Sequence, residues 1–212
     1  MRTTVNRHAH RLTGALAIAC SLLLAGCASN ERAQNTLYDF GPLSLRPAAP
    51  AAAPASPLTI VMMDVTGPSG LDTERIFYRL DYADAQQART YASSRWSAPP
   101  ANLVTTRIRN RLAQGNMKVL SGTDAANGMP ILRIEIVDFV HAFQSVAQSQ
   151  GVIMLRASVF ADQRLVDQRS FTRSTPAPTQ DAAGGVAALA ASTDQLADDI
   201  ETWLGTLGLQ GQ

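Results

Sequence analysis

Ile131-Leu-Arg-Ile-Glu-Ile-Val-Asp-Phe-Val-His-Ala-Phe143 is the stretch that decides the fold class. Leu132, Ile134 and Ile136 alternate with Arg133 and Glu135, the two-residue period of a strand with one wet face. A second β-rich run, Val152 to Asp162, follows after the polar stretch Gln144–Gly151, which reads as a hairpin tip. A third, Leu165 to Arg173, follows a tight turn at Asp162-Gln163. Connections this short join antiparallel strands. Shorter strand candidates precede them: Leu37 to Leu45, Leu58 to Val65, Ile76 to Leu80 and Met117 to Leu120.

Two helices complete the pattern. Ser97-Ala-Pro-Pro100 reads as a helix start, with a capping Ser and prolines in the first turn, where N–H groups have no partner anyway. Val104, Ile108 and Leu112 recur every four residues as an apolar stripe, with Leu103 beside them, and Gly115 ends the helix. Thr175-Pro-Ala-Pro178 breaks the chain, and residues 181–207 form a helix with Val186, Leu189, Leu196, Ile200, Trp203 and Leu207 on one side. Helices set between and after hairpins predict an α/β (α+β) two-layer sandwich: a mixed, largely antiparallel sheet of five to seven strands with two main helices. The segment 46–57 carries four prolines and reads as a semi-stiff surface loop.

Composition removes whole classes of function. Of 212 residues, 46 % are hydrophobic and 17 % charged, enough to bury a core. Lys+Arg 18 against Asp+Glu 17 gives +1, and without Arg2, Arg7 and Arg11 of the first 26 residues the balance is 15 against 17. Such a chain has no basic field for nucleic acid. The two cysteines, Cys20 and Cys27, both lie near the N-terminus, so neither a disulfide framework nor a Cys-based zinc site is available. His141 is the single histidine outside the first ten residues, after His8 and His10. A serine hydrolase would have to recruit it, but no G-x-S-x-G elbow is present. The glycines of Gly67-Pro-Ser-Gly70 lack the Gly-Lys-Ser/Thr of a phosphate loop, and no dinucleotide fingerprint occurs. The chain therefore reads as a non-enzyme without a cofactor. Arg107 and Arg111 share a helix face suited to a carboxylate or lipid phosphate, or to solvent. Asp198, Asp199 and Glu201 read as the wet face of the terminal helix rather than a metal site.

The sharpest motif is N-terminal. Three arginines precede an apolar run over residues 12–24, too short for the roughly 20 residues that span a bilayer and suited to a secretory signal. It ends in Leu24-Ala-Gly-Cys27, which resembles a bacterial lipobox. The resemblance implies cleavage between Gly26 and Cys27, a diacylglyceryl thioether on Cys27 and acylation of its amine by a palmitate-type chain. It divides the chain into a signal peptide (1–26), a lipidated tether (27–36) and one domain (37–207). Residue 28 is Ala rather than the Asp that retains enterobacterial lipoproteins at the inner membrane, so the implied address is the periplasmic face of the outer membrane.

Further fragments carry a family resemblance: Tyr38, the Gly70-Leu-Asp72 turn, Tyr78-Arg79, Tyr91, Arg95-Trp-Ser-Ala-Pro-Pro100, Asp138-Phe139 and Trp203-Leu204. Together they resemble the ABC-type transport auxiliary lipoproteins, the PqiC-like family, over residues 37–206. The proline-rich loop is a departure from that pattern. The resemblance implies a non-catalytic outer-membrane component of an MCE/ABC-type intermembrane lipid transport system. Its partners would be an MCE-domain protein that spans the periplasm and the ABC transporter components, and a self-associated ring would suit a hexameric conduit. Tyr91, Arg95 and Trp96 are the candidate partner-binding residues, since Trp and Arg favour hot spots; alternatively Trp96 packs the helix start onto the sheet and Arg95 bonds a nearby carboxylate. Rival readings are a lipid carrier with an enclosed acyl cavity and a structural envelope or secretion-assembly lipoprotein.

Overall fold

The computed structural model describes residues 35–44, 58–115, 117–124 and 128–209. The lipobox with Gly26 and Cys27, Cys20, His8, His10, most of the tether and the loop 46–57 lie outside the described residues. In chain order the elements are β1 (Thr36–Tyr38), β2 (Leu58–Met62), a 3-10 turn (Ser69–Asp72), β3 (Arg75–Leu80), the single turn α1 (Asp81–Asp84), β4 (Ala85–Trp96), α2 (Pro100–Gln114), β5 (Met117–Ser121), β6 (Ile131–Ser145), β7 (Gln148–Ala161), β8 (Arg164–Pro176) and α3 (Ala182–Thr206).

β6 organises the sheet. β7 pairs antiparallel along its whole length, and β8 pairs antiparallel with β7. The opposite edge of β6 is shared by two parallel neighbours in succession: β2 beside Ile131 and Leu132, then β3 beside His141 to Phe143. β2 continues the sheet to β5, and β3 continues it through β4 to β1. A β-bulge at Val137 makes this division useful. Before it, Leu132, Ile134 and Ile136 face the helices, at 2 % exposure or less. After it the parity changes, and Phe139, His141 and Phe143 take that face.

Both helices cover one face of the sheet. The stripe of α2, Val104, Ile108 and Leu112, is fully buried. α3 opens with Asp181 accepting from the Gly184 N–H at 2.8 Å, and lays Val186, Leu189, Leu196, Ile200 and Trp203 over β6, β7 and β8. Gly151 and Gly185 permit α3 to approach the sheet closely. A Cβ on Gly151 would lie 2.5 Å from the Leu189 nitrogen, and one on Gly185 would lie 2.4 Å from His141 Nδ1.

The two-layer mixed sandwich agrees with the sequence reading. The sheet, however, has eight strands among the described residues, not five to seven. The extra one is β4, whose polar Ala85-Gln-Gln-Ala-Arg-Thr-Tyr-Ala-Ser-Ser has no alternation because most of it lies at the rim, exposed. The helix start also differs. Pro99 is the N-cap residue of α2, with no side-chain cap, while the Ser97 N–H donates to Tyr38 O at 2.7 Å and ties β1 down. The first strand stops at Tyr38, and Phe40 turns into the core. The expected tip 144–151 shrinks to Val146-Ala147, since the strands run on to Ser145 and resume at Gln148.

Candidate functional site

β4 ends in Tyr91, Arg95 and Trp96, and each side chain has a partner. Trp96 is 1 % exposed. It meets Phe40 edge-on at 5.5 Å and Phe139 at 5.8 Å between ring centroids, so it locks β4 to β6. Its side chain therefore belongs to the core in this conformation. Arg95 folds back on its own strand, donating from Nη1 to Tyr91 O at 2.6 Å and Ser94 O at 2.8 Å, rather than to a carboxylate. Tyr91 meets Tyr78 at a tilt of 41° with ring centroids 4.8 Å apart, and its hydroxyl is hydrogen-bonded to His141 Nδ1 at 2.8 Å.

His141 is fully buried between Phe143 and Gly185 of α3. Burial pulls its pKa from 6.5 down to about 4, against the opposing charge of Asp181. Burial likewise raises the Tyr91 hydroxyl above its ordinary value, helped by Asp181 and Tyr78. The pair is thus neutral at neutral pH. With 0 % exposure the imidazole is sealed inside the core, where the pair joins β4 to β6 under α3. Among the described residues no group of three or more His, Cys, Asp or Glu is placed to hold a metal, and no helix is long and apolar enough to cross a membrane.

Arginines on α2 grip carboxylates, those of α3. Arg107 makes a bidentate pair with Asp194 at 2.6 and 2.7 Å, and Arg111 one with Asp198 at 2.8 and 3.1 Å. Each has a further Nη1 donor, Arg107 to Gly41 O at 3.1 Å and Arg111 to Ser44 O at 3.2 Å, so the ladder also holds the segment after β1. Hydrogen bonding to Asp198 raises the Arg111 pKa further. Arg173 on β8 holds Asp199 in the same way at 2.6 Å. Asp198 is therefore tied to α2, while Asp199 makes a solvent-screened surface pair with Arg173. The signal was present in the sequence as matched spacings, 107/111 and 194/198, one helical turn apart on each helix.

The feature that sequence reasoning missed is a groove beside the β-bulge of β6. Leu71, Phe77, Val137, Phe139 and Val140 line it, with Gly70 and Pro68 at one end, and its cavity volume is about 180 Å³. Arg79 spans its rim, bidentate to Asp138 at 3.3 and 2.7 Å and 3.6 Å from Asp81. The bulge creates the opening, because it leaves Val137 40 % exposed where the strand changes face. Three fragments far apart in sequence meet here: Gly70-Leu71, Arg79 and Asp138-Phe139.

Those fragments are among the ones that carried the family resemblance, and comparison with known proteins agrees. The model of the ABC-type transport auxiliary lipoprotein component family matches residues 42–201. No match is found among curated proteins. The crystal structure of protein XCC0632 from Xanthomonas campestris is similar, with a TM-score of 0.67 at 20 % identity, covering 82 % of this chain and 96 % of that one. That of an uncharacterized protein has a TM-score of 0.64 at 13 % identity, covering 81 % and 99 %. At these identities the likeness shows a shared fold alone. The family match spans most of the domain, and this chain belongs to the ABC-type transport auxiliary lipoprotein component family.

Proposed function

We propose that this protein is a non-catalytic lipoprotein of the outer membrane that docks a periplasm-spanning MCE protein within an ABC-type intermembrane lipid transport system. The observation that carries this reading is family membership over residues 42–201. The Leu24–Cys27 lipobox supports the anchor, and Ala28 supports the outer-membrane address. The domain is the soluble part, held where a partner tube ends; confinement to one membrane raises its effective concentration there. The groove beside Val137 is the docking surface we assign, because it is apolar, open and rimmed by the Arg79–Asp138 pair. Its size speaks against a carrier role for this groove: about 180 Å³ falls below the roughly 300–1,000 Å³ of sites that enclose a small ligand.

A photoreactive amino acid at Val137, activated in intact cells, tests the reading. The expected adduct is with an MCE-domain protein. Adducts with an unrelated envelope assembly, reproducible at this position and without MCE protein, would favour a structural or secretion-assembly lipoprotein instead.

A further inference from the structure

The pairing of β3 with β4 sets two arginines against each other. Arg75 stands directly opposite Arg95, and Leu37 of β1 stands opposite Arg95 on its other side. Residues in register on neighbouring strands share a face of the sheet. Across an antiparallel pair their Cβ atoms lie about 5 Å apart. The face is the one away from the core, because the next residues along, Ile76 and Trp96, are 0 % and 1 % exposed and successive side chains alternate. The row Leu37, Arg95, Arg75 is therefore open: Leu37 is 63 % exposed, Arg75 is exposed and Arg95 is half-buried.

Like charges directly opposite each other destabilise a sheet. Other arginines of this domain have met that problem with carboxylates: Arg79, Arg107, Arg111 and Arg173 each hold one through two nitrogens. Among the described residues neither Arg75 nor Arg95 makes an ion pair, although Asp72 and Glu74 are close in sequence.

Arg95 is nonetheless held in place. Next to the Arg75–Arg95 pair the register shifts, so that Ile76 of β3 stands against Tyr91 to Ser94 of β4. Arg95 Nη1 closes this bulge by donating to Tyr91 O at 2.6 Å and Ser94 O at 2.8 Å. Its Nε and Nη2 have no protein partner and are open to solvent. One nitrogen thus fixes the guanidinium, and two donors face outward beside a second guanidinium. A phosphate supplies what is missing here, negative charge and enough acceptor oxygens for both arginines.

We propose that Arg75 and Arg95 bind a phosphate group on the outer face of the sheet. Leu37, at the end of the row, is placed to meet the apolar part of a lipid that carries such a group.

Calorimetric titration of the purified full chain, in matched non-ionic detergent at low ionic strength, tests this. The probes are inorganic phosphate, dihexanoyl phosphatidic acid and succinate. Saturable binding of a phosphate-bearing probe is expected, with Arg75→Gln weakening it about tenfold. The Arg75 side chain holds no other described group, and a melting curve checks the fold. Where that variant does not fold, Arg75→Lys replaces it, since a lysine keeps the charge but not the fork, and a several-fold loss is expected. Leu37→Ser separates the two sources. Tighter binding of phosphatidic acid than of phosphate, lost in Leu37→Ser, identifies a lipid headgroup. Equal binding of the two, unchanged by Leu37→Ser, identifies free phosphate. No saturable binding of either probe overturns the proposal, as does binding that both Arg75 variants leave unchanged. Succinate bound as tightly as phosphate also overturns it, and would mark a carboxylate of a protein partner as the occupant.

Discussion

His141 shows how a residue that invites a catalytic reading becomes a packing element. It sits on a strand, after a bulge, where Gly185 of α3 offers no side chain. Its low pKa has a consequence for stability. Above about pH 6.5 the imidazole is neutral in both folded and unfolded chains. Between 6.5 and about 4 the unfolded chain takes up a proton that the folded one refuses, so stability falls as pH falls. Going from pH 7 to 5 is expected to cost about 2 kcal/mol through this group alone. Urea midpoints over that range measure it, and His141→Gln should flatten the slope, whatever it does to the midpoint at pH 7. Asp181 is held below its ordinary value of 3.8, first by the Thr179 hydroxyl and then by the Gly184 N–H. Its loss of stability therefore begins below this window.

At the scale of elements, the arginine ladder and the glycine contacts hold the helical layer to the rest. Arg107 is 8 % exposed, and removing its partner leaves a buried guanidinium uncompensated. Asp194→Ala is expected to cost about 3 kcal/mol, and Arg107→Ala a similar amount. The double variant should cost less than the sum by about 1–3 kcal/mol in a double-mutant cycle. The exposed Arg173–Asp199 pair should show almost no coupling, since solvent screens it. Two glycines of α3 make a matched contrast. Gly205→Ala meets nothing within 4 Å and should stabilise by about 0.5–1 kcal/mol through helix propensity. Gly185→Ala would drive a methyl into the His141 ring and should destabilise by about 1–3 kcal/mol. Thermal melts of the two single variants should therefore move in opposite directions.

For the whole molecule, position in the envelope is the property on which the proposed function depends. Cys27→Ala removes the acceptor of the anchor and replaces no residue of the described strands or helices. The variant is expected to lose its membrane fraction and its transport phenotype while its far-UV circular dichroism and melting temperature remain those of the parent domain. Fractionation of the envelope, read beside the melt, checks this. A soluble, folded and fully active variant would count against anchoring as a requirement.

How much of this was legible without coordinates differs from element to element. Local order sufficed for β6, β7, α2 and α3, because each shows its own period over many residues and each buries one face, whereas β8, with Phe171 alone buried, was legible from the short turn that joins it to β7. The lipobox is likewise a local string. β4 was not legible, since a strand exposed along most of its length needs no apolar alternation. The bulge at Val137 was hidden because it inserts one residue into a pattern that looks continuous on either side. The fate of Arg107, of Trp96 and of the Gly70, Arg79 and Asp138 fragments depended on which distant segments became neighbours. Interactions between residues a few positions apart set the alternation and the helix stripes, and the proposed anchor was likewise read from one local string. Tertiary structure alone decided which charges pair, which aromatics are buried and where a groove opens, because those outcomes arise from contacts between residues tens of positions apart that only the folded sheet brings within reach.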